Sequence, residues 1–428
     1  MIKKTFEFLL LASLTFPFLS CKNHKVESSM KFLTAEGKNI KTVDGQLVNL
    51  RGVNIGGCML QEFWMTPTNS SPDIHAESDI YRVLDKRFGK RERKKIIAAY
   101  QSAYFSEDDF KILSSLGANC IRLPFWWRNI ADEKGRVRKN AFSRLDWFLE
   151  MAEKYGMYVI LDMHGLPGSQ NGSDHSGVDG LSRKKEASEF FFGKNAEKNQ
   201  EIFYSLWKKI AVRYRGNPVV AGYDLMNEPF CTYRYNSGLT DNELHSLLWK
   251  IYDRTYKLIR SVDSDHMIFF EATWNPEDLP APEEYGWKNV VYEYHNYLYS
   301  DTYNAGGKQI ENMQKKLELI READYNLPSY MGEFNYFNSL DAWDKGLKLL
   351  TDAGISWTMW TYKTVPVRGN WGLVHHAEDV GGINIEYLEK DELIKQWSRA
   401  GEINKNTELM AVFQKYCQMD AVEYSLDK

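Results

Sequence analysis

The run VVAGYDLMNEP at residues 219–229 decides the fold of this 428-residue chain. Five apolar or small residues come first, bounded by a Gly-Asn-Pro turn before them and by Pro229 after them. A short apolar run between turn signals is typical of a buried strand in a parallel sheet. Because a carboxylate is costly to bury without a partner, Glu228 at the end of this strand needs either a partner or a chemical task. The question is therefore where a second carboxylate lies.

Strand and helix patterns alternate along the chain. Turn signals at residues 36–37 and 44–45 predict a hairpin within residues 32–54. Eight strands are predicted at residues 50–55, 119–123, 157–163, 219–226, 267–270, 290–294, 329–331 and 355–359, with helical patterns between them. The helix between residues 270 and 290 is the weakest, because three prolines leave it little room. This rhythm predicts an α/β fold, a single (β/α)8 TIM barrel with an N-terminal β-hairpin, since eight units exceed most doubly wound sheets.

Composition narrows the class of partner. The net charge of −4 offers no basic stripe for nucleic acid, so we expect no nucleic-acid partner. Aromatic residues are abundant, with 13 Trp, 25 Tyr and 22 Phe. They are either large core residues or platforms for a flat ligand face such as a sugar ring.

The first residues are read as a targeting segment. Lys3 and Lys4 precede an apolar run that is too short for a stable membrane span, and a small residue stands before Cys21. This resembles a bacterial lipoprotein signal at residues 1–21 with a lipidated Cys21; an ordinary cleaved signal is the alternative. A flexible linker is expected at residues 22–31 and the catalytic domain at residues 32–428. We therefore expect an exported protein held to a bacterial envelope membrane only by a lipid, facing the periplasm or the cell surface.

The other cysteines give no metal signature. Cys58, Cys120, Cys231 and Cys417 lie far apart, without CxxC spacing or a histidine cluster. One disulfide is possible, and Cys120 is expected in the core. The two histidines at residues 375–376 have no group of carboxylates beside them that could complete a metal site. Neither a metal site nor a cofactor is therefore expected.

Polar and aromatic residues stand where the predicted strands end. In a (β/α)8 barrel these carboxyl ends carry the active site. The candidates are Arg122, His164, Asn227, Glu228, His295, Tyr297, Glu333 and Trp360. Each alone could be an ion-pair partner, a core imidazole or a packing residue, but their convergence on one face indicates a site.

Glu228 ends the fourth strand and Glu333 the seventh, so the barrel brings them opposite each other. A separation of roughly 5 Å suits retaining glycoside hydrolysis. One carboxylate attacks the anomeric carbon, and the other needs a raised pKa to hold its proton. Asn227 could bind the sugar 2-hydroxyl, and Tyr297 could hold Glu333. Spacing alone does not say which glutamate is which.

The eight residues in register resemble glycoside hydrolase family 5, a family of (β/α)8 retaining glycosidases, over nearly the whole chain from about residue 43. That resemblance implies that Glu228 is the acid/base and Glu333 the nucleophile.

Three stretches are similar to the exo-β-1,3-glucanase type of this family: residues 51–57 with Glu62, residues 164–172, and residues 360–364. The resemblance implies that Glu62 binds hydroxyls of a terminal sugar and adds Lys363 to the expected substrate-binding residues. Cys58 and Phe63 depart from the type, as do the loops at residues 230–238 and 364–382. Because such loops build the outer sugar-binding subsites, the preferred length and linkage of the substrate stay open.

The resulting expectation is a monomeric, exported β-glycosidase acting on a β-linked polysaccharide or oligosaccharide, exo-acting on β-1,3-glucan. An endo-β-1,4-glucanase or β-mannanase of the same family is the nearer alternative. A lipid-anchored glycan-binding protein without catalysis is the alternative from another class.

Overall fold

The structure is a computed structural model that describes residues 29–178, 188–229, 239–272, 274–302 and 306–426. The predicted signal at residues 1–21, with Cys21, lies outside the described residues, as do most of the predicted linker and Cys231. Within the described ranges, no helix is both long and apolar enough to cross a membrane.

A hairpin precedes a closed barrel, as the sequence predicts. The hairpin pairs β1 (Leu33–Glu36) with β2 (Asn39–Thr42) in antiparallel fashion. The barrel strands are β3 (Arg51–Asn54), β4 (Cys120–Trp126), β5 (Tyr158–Gly165), β6 (Val220–Asp224), β7 (Met267–Glu271), β8 (Val290–Asn296), β9 (Ser329–Phe334) and β10 (Ser356–Met359). All eight are parallel and follow chain order around the barrel, which closes between β10 and β3. Their carboxyl ends therefore share one rim.

Helices surround the barrel. They are α1 (Glu77–Tyr104), α2 (Glu107–Ser115), α3 (Trp127–Ile130), α4 (Ser143–Lys154), α5 (Ala196–Tyr214), α6 (Asp241–Arg260), α7 (Pro282–Tyr285), α8 (Gly307–Ala323), α9 (Leu340–Asp352), α10 (Lys390–Ser398) and α11 (Thr407–Cys417). Among its described residues, the segment between β7 and β8 carries a 3₁₀ turn at Pro276–Asp278 and the four-residue α7 but no long helix, as its prolines predict. On α5 an apolar face packs inward, and the Trp207 indole N–H donates to the Leu225 carbonyl at 3.1 Å. That bond ties α5 to the segment that leads to Glu228.

Two sequence expectations about strands were incomplete. The second barrel strand was expected to stop at Pro124, but β4 continues to Trp126. Arg122 accepts a hydrogen bond from Ile55 on the β3 side, and by strand alternation Pro124 faces the same side, beyond the end of β3. Its missing N–H therefore removes no ladder bond.

The second concerns the residues after β10. They form a small sheet of β11 (Lys363–Thr364), β12 (Val374–His376) and β13 (Ile403–Lys405), which the sequence did not suggest. Strands of two or three residues are too short to show a period of alternation.

The described cysteines are core thiols. Cys58, Cys120 and Cys417 are all buried and unbridged. Cys120 lies in β4 among apolar neighbours, as expected. Burial raises the pKa of each of these thiols, which keeps them protonated.

Candidate active site

A pocket of about 290 Å³ opens at the carboxyl ends of the barrel strands. Seven of the ten predicted site residues line it: Glu62, His164, Asn227, Glu228, Tyr297, Glu333 and Trp360. Seven more complete the lining: Trp64, Asp174, His175, Tyr299, Asn335, Phe337 and Trp371. The sequence analysis named none of this second group as a site candidate, because most lie on loops whose course depends on the folded barrel.

The two glutamates face each other across this pocket. One carboxylate oxygen of Glu228, one of Glu333 and a ring nitrogen of His295 all lie within 4.8 Å of one another. That separation matches the spacing of about 5 Å used by retaining glycosidases and leaves no gap for the extra water of an inverting mechanism. Glu333 sits in β9, whereas Glu228 follows β6 with a left-handed φ of 45°.

The loop after β5 holds the backbone on either side of Glu228. Gln170 donates through Nε2 to the carbonyls of His164 at 2.8 Å and of Asn227 at 2.7 Å. Asn171 donates through Nδ2 to the Glu228 carbonyl at 3.2 Å. These bonds explain why the Gln-Asn pair follows the β5 histidine in the sequence.

Both oxygens of Glu333 accept hydrogen bonds from fixed donors. Arg122 donates from Nη1 to Oε1 at 2.7 Å, and the Tyr297 hydroxyl donates to Oε2 at 2.9 Å. Burial and the charge of Glu333 raise the pKa of Tyr297 well above its ordinary value, so the phenol remains a donor. Two such bonds fix the direction of the carboxylate.

Arg122 lies beneath the pocket instead of lining it. Its side chain is fully buried, and its guanidinium also donates to Asp224 at 2.8 Å and to the Asn227 side-chain oxygen at 3.0 Å. The expectation that Arg122 binds substrate directly is therefore corrected: it orients Glu333 and Asn227, which line the pocket.

Histidine side chains contact both oxygens of Glu228. His295 Nδ1 is 3.0 Å from Oε1, and His175 Nε2 is 3.3 Å from Oε2. Burial opposes ionisation of Glu228, but the hydrogen bond from His295 and the charges of His175 and His295 lower its pKa to about 2. The proton-donating carboxyl of a retaining glycosidase was expected to have a raised pKa, whereas the pKa of Glu228 is lowered.

The proton lies instead on His295. Burial alone would lower the pKa of His295, but the carboxylates of Glu271 and Glu333 and the bond to Glu228 raise it well above its ordinary value. His295, like Arg122, is absent from the pocket lining and acts from below. Glu228 and His295 therefore form a coupled pair that shares a proton.

Four further carboxyl groups lie under the floor of the pocket. They are Asp162 in β5, Asp224 in β6, Glu271 in β7 and Glu293 in β8, each at most 1% exposed. Burial is the main cause that raises the pKa of Asp162, Asp224 and Glu271 well above the ordinary range. Neighbouring carboxylates add to this effect, because so many of them cannot all ionise around Arg122 and His295. The sequence carried a signal for two of them, since Asp162 and Glu293 each stand two residues before a site histidine and so face the same way.

His164 is neutral and stacked. Burial lowers its pKa to about 3, its Nδ1 lies 2.7 Å from Asp162, and its ring lies 5.2 Å from that of Trp360 at an angle of 8°. This stack forms one apolar wall of the pocket. Because its pKa is lowered, His164 also does not compete for the proton of Glu228.

Glu62 marks one end of the pocket. The Trp64 indole donates to Oε2 at 2.8 Å, while Oε1 is buried and has no hydrogen-bond partner among the described residues. Burial and the nearby charge of Asp174 raise the pKa of Glu62 well above its ordinary value. Trp64 packs against Trp371 with ring centroids 5.7 Å apart, so aromatic side chains close the pocket beside this carboxyl group.

Lys363 does not reach the pocket. It is fully buried in β11, where its ammonium donates to the carbonyl of Tyr104 and lies 3.6 Å from Asp109. The expectation of substrate binding is corrected, because the chain turns inward after Trp360 and the ammonium meets the negative end of α1. His376 of the neighbouring histidine pair is also fully buried, and burial lowers its pKa to about 3.

A cation could be coordinated at two places among the described residues. Glu228, His295 and Glu333 form one group of possible ligands, and Glu271, Glu293 and His295 form the other. Both groups depend on His295, whose raised pKa already places a positive charge, in the form of a proton, between these carboxylates.

Comparison with known proteins identifies the family. A family model described as cellulase (glycosyl hydrolase family 5) matches residues 92–365. A β-xylosidase from Phanerodontia chrysosporium is 28% identical over 378 residues, which is 82% of this chain and 74% of that protein. A glucan 1,3-β-glucosidase from Candida oleophila is 29% identical over 276 residues, and the match spans 60% of each protein.

Solved structures support the same fold. The crystal structure of a rutinosidase from Aspergillus niger superposes with a TM-score of 0.56 at 19% identity, covering 76% of this chain and 93% of that one. At that identity the likeness concerns the barrel alone. The family match is stronger, since it spans well over half of the chain and includes both facing glutamates. The chain belongs to the cellulase family, glycosyl hydrolase family 5.

Proposed function

We propose that the protein is an exo-acting, retaining β-glycosidase that releases a terminal glucosyl residue from β-1,3-glucan or its oligosaccharides. The observation that carries this proposal is the small pocket around the facing glutamates, closed at one end by Glu62 and Trp64. A volume of about 290 Å³ is at the lower end for a ligand site, which suits one sugar ring better than an extended chain.

In the first step the Glu333 carboxylate attacks the anomeric carbon while the bond to the leaving oxygen breaks. Glu228 supplies the proton for that oxygen. In the second step Glu228 takes a proton from water, which attacks the same carbon and frees Glu333. Hydrogen bonds from Arg122 and Tyr297 keep Glu333 aimed at the anomeric carbon throughout.

The proton on His295 is the source for Glu228. The pair already shares a hydrogen bond of 3.0 Å, so a proton can pass from Nδ1 through the carboxylate to the leaving oxygen. In the second step the proton that Glu228 takes from water returns to His295 by the same bond. Asn227 has its side-chain oxygen held by Arg122, which leaves its amide N–H groups to donate to the sugar 2-hydroxyl.

The linkage preference is supported by relatives. Several are named glucan 1,3-β-glucosidase, which fits the exo type that Glu62 implies. A second candidate is β-xylosidase activity, because the relative that matches 82% of this chain carries that name. Aryl β-glucosides and aryl β-xylosides, compared by kcat/KM, distinguish the two. The exo mode predicts that laminarin yields only monosaccharide at early times; oligosaccharides at early times would favour an endo-acting enzyme.

Substitution of the two glutamates tests the chemistry. Glu333→Ala should abolish hydrolysis while the circular dichroism spectrum is unchanged, and azide should restore turnover by forming a glycosyl azide of inverted configuration. Glu228→Ala should impair substrates with poor leaving groups far more than activated aryl glycosides. Full activity of Glu333→Ala would refute the nucleophile assignment, whereas no hydrolysis by the wild-type protein would indicate a site that only binds glycan.

We also propose that the chain is exported as a monomer and held to an envelope membrane by a lipid on Cys21. The lipoprotein-type signal at residues 1–21 supports this. Cys21→Ala should move the protein from the membrane fraction to the soluble fraction without loss of turnover. Retention in the membrane fraction would count against the lipid anchor.

A further inference from the structure

A second cavity, about three times larger than the active-site pocket, lies on the side of the barrel between α1 and the segment from α3 to α4. Its volume is about 870 Å³. The basic residues that line it are Lys90, Arg93, Lys94, Arg128, Lys134, Arg136, Arg138 and Arg144, against the acidic residues Glu107, Asp132 and Glu133. None of them lines the active-site pocket.

The basic surface continues beyond this cavity. A shallower depression of about 1000 Å³ shares Lys134 and Arg136 with it and adds Lys194, Lys198 and Lys209, against Glu197 and Glu201. We call the basic residues of the two depressions the basic belt. Since the whole chain carries a net charge of −4, the belt is a local concentration of positive charge and does not reflect the composition.

Several charges of the basic belt have no ion-pair partner among the residues that the structure describes. Lys94, Lys134 and Arg138 are exposed, and no described carboxylate forms an ion pair with their side chains. The Nε–H groups of Arg128 and Arg144 are buried and lack a hydrogen-bond acceptor among the described residues. Since exposed cations without an ion-pair partner line the cavity, an anionic group that enters it meets positive charge that no described carboxylate neutralises.

The chemistry of the lining selects the kind of anion. Guanidinium groups pair with carboxylate and sulfate in planar geometry. Trp147 also lines the cavity, and the Arg144 guanidinium stacks over its ring at 4.0 Å, so an aromatic side chain lies beside the charge. An aromatic face next to fixed cations suits a sugar ring that bears an acidic group.

The shape of the cavity excludes a flat partner. The basic side chains line a cavity of about 870 Å³, which an extended chain can enter and a planar bilayer surface cannot. We propose that the basic belt binds a saccharide chain bearing carboxylate or sulfate groups, at a site separate from the pocket that holds Glu228 and Glu333. Such a site would hold the enzyme on an acidic polysaccharide while the pocket acts on its own substrate.

The test compares two variants of the full-length protein with the same change in charge. The belt variant is Lys94→Glu/Lys134→Glu/Arg138→Glu, and the control variant is Lys250→Glu/Lys308→Glu/Lys315→Glu, whose exposed lysines lie on α6 and α8. Binding of oligogalacturonate and of sulfated laminari-oligosaccharide is measured by calorimetry. Neutral laminari-oligosaccharide, inorganic sulfate and vesicles of phosphatidylglycerol serve as comparison probes.

The wild-type protein should bind at least one of the two acidic saccharides more tightly than the neutral one, with an affinity that falls as salt rises. The belt variant should lose roughly tenfold or more of that affinity, because charged hydrogen bonds are lost, and the control variant should lose less than about twofold. Turnover of an aryl β-glycoside should be unchanged in both variants, which also shows that they fold.

Three results would overturn the proposal. The first is equal weakening in both variants, which would mean that net charge alone attracts the ligand. The second is the absence of saccharide binding by the wild-type protein. The third is that the wild-type protein binds inorganic sulfate or vesicles but not the acidic saccharides, and that the belt variant loses this binding. Since aryl glycoside turnover is measured separately, failure of this proposal is distinguishable from failure of the proposed catalytic function.

Discussion

Glu271 offers the sharpest test of how the site positions its proton donor. Its Oε2 accepts the backbone N–H of Glu228 at 2.7 Å, and its Oε1 lies 3.3 Å from His295 Nδ1. It is 1% exposed and absent from the pocket lining. Burial raises the pKa of Glu271 well above its ordinary value, while its charge helps to raise the pKa of His295, so glutamine keeps the acceptor and removes only that charge. Leucine, by contrast, removes the acceptor while keeping a similar volume.

The magnitude follows from the two features that Glu271 stabilises. A buried N–H without an acceptor costs about 1–3 kcal/mol. The left-handed φ of 45° at Glu228 costs a non-glycine residue about 1–2 kcal/mol, which this hydrogen bond helps to offset. When Glu271→Leu removes the bond, Glu228 should leave its productive orientation, and kcat/KM should fall roughly 10- to 100-fold at about 1.4 kcal/mol per tenfold. Glu271→Gln should stay within about threefold, because its side-chain oxygen can still accept the N–H.

The assay is a series of aryl β-glycosides with leaving groups of graded pKa. A positioning role predicts that Glu271→Leu steepens the dependence of kcat/KM on leaving-group pKa, since only poor leaving groups need the proton from Glu228. If the role of Glu271 were merely structural, Glu271→Leu would lower kcat/KM equally for all substrates or would lower the midpoint of urea unfolding. Equal losses for the leucine and glutamine variants would refute the hydrogen-bond argument and point to the charge of Glu271 instead.

Three further changes have defined outcomes. Burial raises the pKa of Glu77 from 4.5 to about 7, so its favourable effect on stability is complete below pH 4.5 and is lost as pH rises through 7. The free energy of unfolding of Glu77→Gln, measured in urea, should therefore match that of the wild type at about pH 4. At about pH 8 it should exceed the wild-type value by up to roughly 3 kcal/mol. His175→Asn removes a charge that lowers the pKa of Glu228, so the alkaline limb of the kcat/KM profile should move to higher pH; an unmoved limb would contradict the contact. Arg122→Met leaves several buried carboxyl groups without their cation and should destabilise the fold by about 3–5 kcal/mol, with a much lower Tm in calorimetry.

Local patterns in the sequence were sufficient for the barrel and for the two glutamates. Apolar runs that stop at turn residues give strands, and amphipathic runs give helices, whatever their neighbours. Once eight such units are counted, geometry places all the carboxyl ends on one rim, so Glu228 and Glu333 must meet there. The hairpin of β1 and β2 followed from its turn residues for the same local reason.

The tertiary structure alone decided what those groups do to each other. Lys363 belongs to a motif near the rim, yet the turn after Trp360 buries it against α1. A buried ammonium needs hydrogen-bond acceptors, and the carbonyl oxygens at the end of α1 supply them. The location of the proton on His295 and not on Glu228 depends on burial and on charges that five different strands bring together. The basic belt likewise joins residues from α1, α4 and α5 that are far apart in the chain. Strand and helix periods are properties of neighbouring residues and can be read from the sequence, whereas pKa values and cavities arise from distances across the fold.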